Sequence, residues 1–283
     1  MAMGRVLTLL VSVAADGLDQ AVAVANDATR QHPARILVVV PVDPDGDDRL
    51  DAEIRVGGDA GASEVVVLRL HGELTRHGSS VIIPLLLPDS PVVAWWPGEA
   101  DADVAGSALG AMAIRRVTDS DRCADPAAQL AHRAEHYRPG DTDLAWTRLT
   151  RWRALLASTL EAAPYEPVTS VAVRTEPGRP SGALLAGWLA HALRCPVTRD
   201  DAPKGSGLVG VRLERDSGPI ELTVHEDGTD TATLTRPDTP PRLVALHTPD
   251  LPEALAEELR RLDADEVYAR ALCEGLPDVT DTP

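Results

Sequence analysis

Apolar residues along this chain fall into short runs separated by polar, glycine-rich and proline-rich punctuation, the pattern of alternating strands and helices. Arg5–Ala14 and Arg35–Val42 read as strands, and Asp19–Gln31 between them as a helix, so the chain opens as a β-α-β unit with a parallel pair and a crossover. The pair His32-Pro33 ends that helix, because the proline ring keeps the preceding residue out of helical geometry. Asp51–Val56 and Glu64–Leu70 read as two further strands joined by Gly57-Gly58-Asp59-Ala60-Gly61. Ser79–Leu87 reads as a helix capped by Ser79 or Ser80, leading through Pro88-Asp89-Ser90-Pro91 into the apolar run Val92–Trp96. That run is short, continuous and bracketed by Pro91 and Pro97, as expected of a buried central strand. Alternation along a strand sends Trp95 and Trp96 to opposite faces.

Residues 126–164 have a different texture. Ala127–Tyr137 reads as a helix, Pro139-Gly140 as a break, and Leu144–Ala163 as a long amphipathic helix striped by Leu149, Trp152, Leu156 and Leu160. From Pro164 the β-α-β order begins again, with a strand at Val168–Thr175, a helix from Ser181 to Arg194, and a strand opening at Pro196–Arg199. Leu208–Arg215, Ile220–His225, Thr231–Thr235 and Leu243–His247 follow at hairpin spacing, which makes the second sheet partly antiparallel. Asp250 with Glu253 forms a capping box ahead of the stripe Leu251, Leu255, Leu259 and Leu262, and Asp263 with Glu266 starts another turn through Leu272. Both closing helices are expected on the second sheet. The fold class that results is α/β: two α/β domains with mixed sheets, 1–125 and 165–283, joined by a helical segment, 126–164.

Composition narrows the function. A length of 283 residues fits two domains, and the net charge of −17 repels phosphate backbones and anionic lipid, so neither nucleic acid nor a membrane surface is an expected partner. No window approaches the roughly 20 unbroken apolar residues that span a bilayer, and the amino terminus carries no secretory pattern, so the expected location is the cytoplasm. Cys123, Cys195 and Cys273 are odd in number, widely spaced and free of any C-x-x-C, which supports neither zinc nor a disulfide framework and leaves them as weak redox candidates.

A search for catalytic groups returns little. The chain has no G-x-S-x-G and no H-E-x-x-H. His132 and His136 alone share a helical face, which gives two ligands where zinc needs three or four, so no metal and no cofactor is expected. The aspartates between Val42 and Asp51 miss the calcium-loop pattern, with Gly46 off the turn position and Ile54 where a bidentate glutamate belongs. Gly57, Gly58 and Gly61 form the richest glycine cluster and a weak anion-loop candidate, the basis of an alternative reading as a sugar-phosphate or nucleotide-binding enzyme. The cluster fits neither G-x-G-x-x-G nor a Walker loop. The better candidates are partner contacts: Trp95 and Trp96, the pair Arg115-Arg116, and Arg151 with Trp152, since tryptophan and arginine are enriched at interface anchors.

The strings HPARILVVV, DAEIRVGGDAGASEVVVLRLHG, SSVIIPLLLPDSPVVAWWPG and AHRAEHYRPGDTDLAWTRLTRWRALLAS, with RRLDADEVYARAL near the end, closely resemble the bacterial glucose-6-phosphate dehydrogenase assembly proteins, the OpcA family, from Gly4 to about Leu272. The resemblance implies an accessory subunit with no catalysis of its own. It would bind the dehydrogenase, promote its oligomeric assembly and activate it at the entry to the oxidative pentose phosphate pathway. It also implies a longer amino-terminal helical segment than this chain has. Thiol control known among such proteins is not carried over, because Cys123, Cys195 and Cys273 match no position for it.

Overall fold

The computed structural model describes residues 7–30, 34–55, 64–225 and 230–282. In chain order the elements are β1 (Leu7–Ser12), α1 (Leu18–Ala28), β2 (Ala34–Asp43), β3 (Arg49–Arg55), β4 (Glu64–His71), α2 (Gly78–Ile82), β5 (Val92–Trp95), β6 (Arg115–Thr118), α3 (Pro126–Glu135), β7 (Asp141–Asp143), α4 (Leu144–Thr147) and α5 (Thr150–Leu160). They continue as β8 (Ser170–Thr175), α6 (Pro180–Leu193), β9 (Val197–Asp201), β10 (Leu208–Glu214), β11 (Ile220–Val224), β12 (Thr231–Arg236), β13 (Thr239–Ala245), α7 (Leu251–Arg260), α8 (Glu266–Arg270) and β14 (Val279–Asp281). The α/β class is as expected.

Two compact units form, and they interleave along the sequence. The first gathers Met1–Ala124, Glu135–Leu144 and Asp250–Asp265, and the second Asp125–Ala134, Ala145–Pro249 and Glu266–Pro283. This differs from the contiguous division into 1–125, 126–164 and 165–283. The physical reason lies in α7: its Ala254, Leu255 and Leu259 are buried in one cluster with α1 and the first sheet. The expectation that both closing helices rest on the second sheet is therefore corrected for α7.

The first unit holds a seven-stranded sheet in the order β3-β4-β2-β1-β5-β6-β7. Every neighbouring pair is parallel except β3 with β4. With β3 set aside as an antiparallel edge, the remaining six strands follow the doubly wound order, two halves running outward from β1 and β5. Burial on both faces explains why β1, β2, β4 and β5 read as nearly unbroken apolar runs. Leu9, Val11, Ile36, Val38, Val67, Val93 and Trp95 face α1 and α7, whereas Leu10, Leu37, Val39, Leu68, Ala94 and Trp96 face Ile82 of α2 together with Val104 and Leu109. The helix expected over Ser79–Leu87 is shorter, ending at Ile82 and passing into a 3₁₀ turn that contains Pro84, and no side chain caps its start.

In the second unit the sheet order is β13-β12-β11-β10-β8-β9-β14. Strands β8, β9 and β14 are parallel, and β8, β10, β11, β12 and β13 form an antiparallel run. Helix α6 makes the β8-to-β9 crossover and is buried almost all round, with Leu184 and Leu185 fully enclosed. It meets the wide turn after α8 backbone to backbone: a Cβ at Gly275 would fall 1.9 Å from the carbonyl oxygen of Gly187. The long helix expected over Leu144–Ala163 is two helices, because the chain turns at Arg148-Leu149, where the Thr150 hydroxyl donates to the Thr147 carbonyl at 2.8 Å.

Candidate functional site

In a doubly wound sheet the natural crevice lies beyond the carboxyl ends of the two central strands, where successive connections leave in opposite directions. Here those strands are β1 and β5, which pair directly from Thr8↔Val92 to Val11↔Trp95. A cavity of about 540 Å³ opens at that place. Ser12, Val13 and Ala14 continue β1 into it, Trp95 ends β5 there with Pro97, Gly98 and Glu99 beyond it, Arg122 to Ala124 follow β6, and Asp16, Gly17 and Gln20 bring the start of α1. The volume lies within the range of small-molecule sites.

The crevice is mostly apolar with a few polar groups. Trp95 is fully buried, and its indole N–H has no hydrogen-bond partner among the described residues. Glu99 accepts from the Ala124 backbone N–H at 2.6 Å, and Arg122 reaches Gln20 at 3.4 Å. Asp16 stands exposed in the 3₁₀ turn that leads into α1.

Doubly wound sheets hold dinucleotides by setting a pyrophosphate on the glycine-rich turn at the first helix's amino terminus. Ser12–Gly17 does not fit that group. Its one glycine, Gly17, is used internally, since a Cβ there would lie 2.8 Å from Val13 Cγ2. Asp16 puts a carboxylate in the turn where the phosphate would lie.

Among the described residues singled out from sequence, the structure brings Trp95 and Cys123 to this crevice and places the others elsewhere. Trp96 is buried on the opposite face of the sheet, so neither tryptophan is an exposed anchor. Arg115 and Arg116, expected as surface groups, are interior. Arg115 is ion-paired with Glu258 of α7 and donates to the Asp263 carbonyl at 2.6 Å. Arg116 is ion-paired with Asp141 and donates to the carbonyls of Ala113 and Pro139 at 2.7 and 2.6 Å. Trp152 is buried in α5, and only Arg151 of the six candidates is exposed. Gly57, Gly58 and Gly61 lie outside the described residues, as does His32.

Of the cysteines, Cys123 is buried, with its thiol 3.5 Å from the Asp119 carbonyl oxygen. Cys195 is half-buried and Cys273 exposed; the desolvation each still meets pushes its thiol above the ordinary range, and Glu274 adds to the effect at Cys273. Both are thus held in the less reactive protonated form at neutral pH. Among the described residues no group of three or more His, Cys, Asp or Glu side chains is placed to hold a metal ion, and no helix is long and apolar enough to cross a membrane.

Sequence reasoning missed the crevice and a second polar centre. Asp143 of β7 is fully buried and accepts from the Thr118 hydroxyl at 2.6 Å and from the Ser120 N–H and hydroxyl at 3.1 and 2.6 Å. The pairs Arg115-Arg116 and Asp141-Thr142-Asp143 were the available signal, because charges buried in a sheet need partners of opposite sign.

Residues 25–135 match the family model described as the glucose-6-phosphate dehydrogenase subunit N-terminal domain, and residues 139–272 match that of the C-terminal domain. No curated protein matches the chain. Similar solved structures include a 3-ketoreductase from Actinomadura kijaniata in complex with NADP, 11% identical over 99% of this chain and 100% of that one, at a TM-score of 0.48. Another is an NAD binding oxidoreductase from Klebsiella pneumoniae, 10% identical over 97% of this chain and 96% of that one, at 0.48. Glucose-6-phosphate 1-dehydrogenase from Mycobacterium avium is 10% identical over 99% of this chain and 94% of that one, at 0.40. At these scores none of the three bears on what this chain does. With both of its halves matched by the two domain models of one family, the chain belongs to the glucose-6-phosphate dehydrogenase assembly proteins, the OpcA family.

Proposed function

We propose that this chain is a non-catalytic accessory subunit that binds glucose-6-phosphate dehydrogenase, promotes its oligomeric assembly and activates it. The observation that carries the reading is the ordered match of both domain models of a family described as a subunit of that enzyme. Activation then works by population shift: an accessory protein that binds the assembled, competent enzyme more tightly than the free one raises the share of the former by its differential affinity. The place of action is the cytoplasm, at the entry to the oxidative pentose phosphate pathway.

With Trp95, Trp96, Arg115, Arg116 and Trp152 interior, the contact surface is drawn from other residues. Strand β3 is an edge of the first sheet, with backbone groups on one side unpaired within the sheet. Leu50 and Ile54 stand on one face of it at 42% and 63% exposure. An open edge with apolar side chains is a ready template for another chain. The test is co-purification of the dehydrogenase on the tagged protein, wild type against Ile54→Arg. The reading predicts retention by the wild type and clear weakening by the variant, with folding stability changed by less than about 0.5 kcal/mol because the site is exposed. Absence of any retention by the wild type contradicts the reading, whereas equal retention by the variant removes β3 from the interface.

A further inference from the structure

The crevice between β1 and β5 has room and polar groups for a ligand, but the groups that would receive a pyrophosphate are replaced by carboxylates. We infer that it is a binding site for an uncharged small molecule that carries a vicinal diol. The inference does not rest on the accessory-subunit reading.

Three observations lead there. The cavity, at about 540 Å³, is large enough for a nucleoside or a disaccharide. Its lining carries two carboxylates, Asp16 and Glu99, against one guanidinium, Arg122, in a chain of net charge −17, so a phosphorylated ligand meets repulsion where the helix start would otherwise attract it. The third is Trp95, a residue of the same lining, whose indole N–H is buried beneath the cavity wall and has no acceptor among the described residues. Buried donors are costly when unmet, and a ligand oxygen is the acceptor that would complete this one.

Together these groups specify the ligand's chemistry. A carboxylate accepts from two adjacent hydroxyls through charge-assisted hydrogen bonds, the indole and guanidinium N–H groups donate to the oxygens that remain, and the apolar walls at Val13, Val24 and Leu251 cover the ligand's carbon faces. A nucleoside and a disaccharide share that diol chemistry and differ in whether a flat base or a second ring fills the rest of the space.

The test is calorimetric titration of the full chain, without the dehydrogenase, using adenosine and maltose as diol-bearing probes and NADP as the phosphate-bearing comparator. The expected result is saturable binding of adenosine or of maltose, which tells the two sources apart, and at least tenfold weaker binding of NADP. Asp16→Asn, Glu99→Gln or both should weaken the bound probe about tenfold, the size of losing a charge-assisted pair. Ala14→Trp, which fills the crevice from an exposed position, should abolish binding while leaving the thermal unfolding of the free chain unchanged. Failure of both diol probes to bind at millimolar concentration overturns the inference, as does NADP binding at least as tightly as they do. Binding that survives Ala14→Trp overturns the location.

Discussion

Trp95 and Trp96 are adjacent in sequence and part company in space, one enclosed with α1 and α7 and the other with α2 on the reverse face of the sheet. Their burial turns an interface expectation into a stability one: Trp96→Ala should cost about 3–5 kcal/mol, the range for emptying an aromatic site in a core. Urea unfolding checks this, and an unchanged midpoint would contradict the placement. Glu53 supplies a test of sign. Hydrogen bonds from Arg55 and then Arg69 hold its carboxyl below the usual carboxylate range. A carboxyl whose folded value lies below its unfolded one contributes stability above the unfolded value and loses it as the pH falls through the folded value. The stability gap between wild type and Glu53→Gln should therefore be present at neutral pH and close on acidification below the ordinary carboxylate range, measured by urea unfolding at stepped pH. A gap that widens on acidification would contradict the assignment.

At the scale of elements, α7 carries the most information. Its start was legible: Asp250 accepts from the Glu253 N–H at 2.9 Å and Glu253 accepts from the Asp250 N–H at 3.1 Å, the capping box that the sequence spells out. Its destination was not, because a stripe of leucines states that a helix has a buried face without stating which sheet buries it. The partner that settles the matter is Arg115, 143 residues earlier in the chain, whose Nε donates to Glu258 at 3.0 Å in a site closed to water. Removing one member leaves a buried charge uncompensated, so Glu258→Ala should cost about 3–5 kcal/mol, whereas the paired change Arg115→Met with Glu258→Leu should recover much of that loss. Chemical denaturation of the two variants checks it, and a Glu258→Ala variant as stable as wild type would remove α7 from its assigned position. Strand β7 was illegible for a related reason: three polar residues, Asp-Thr-Asp, show no strand pattern until Arg116 is seen to satisfy Asp141, and Thr118 and Ser120 to satisfy Asp143.

At the scale of the molecule, the α/β class and both β-α-β openings were readable because hydrophobic periodicity reports local structure directly. The interleaving of the two units and the crevice at β1 and β5 were not, since both arise from strand order, which one sequence does not display. The same limit explains the fate of the interface candidates. Residue type picked out tryptophans and arginines, and only the fold distinguishes an anchor that faces outward from a side chain that ties strands together. What remains for the partner is the exposed surface of a chain whose family is described as a subunit of one enzyme. The most direct test of that claim is to titrate the purified protein into a fixed amount of glucose-6-phosphate dehydrogenase while recording particle mass and the initial rate together. The account predicts that both rise and saturate at the same ratio of protein to enzyme. A flat mass and a flat rate across the titration would contradict it.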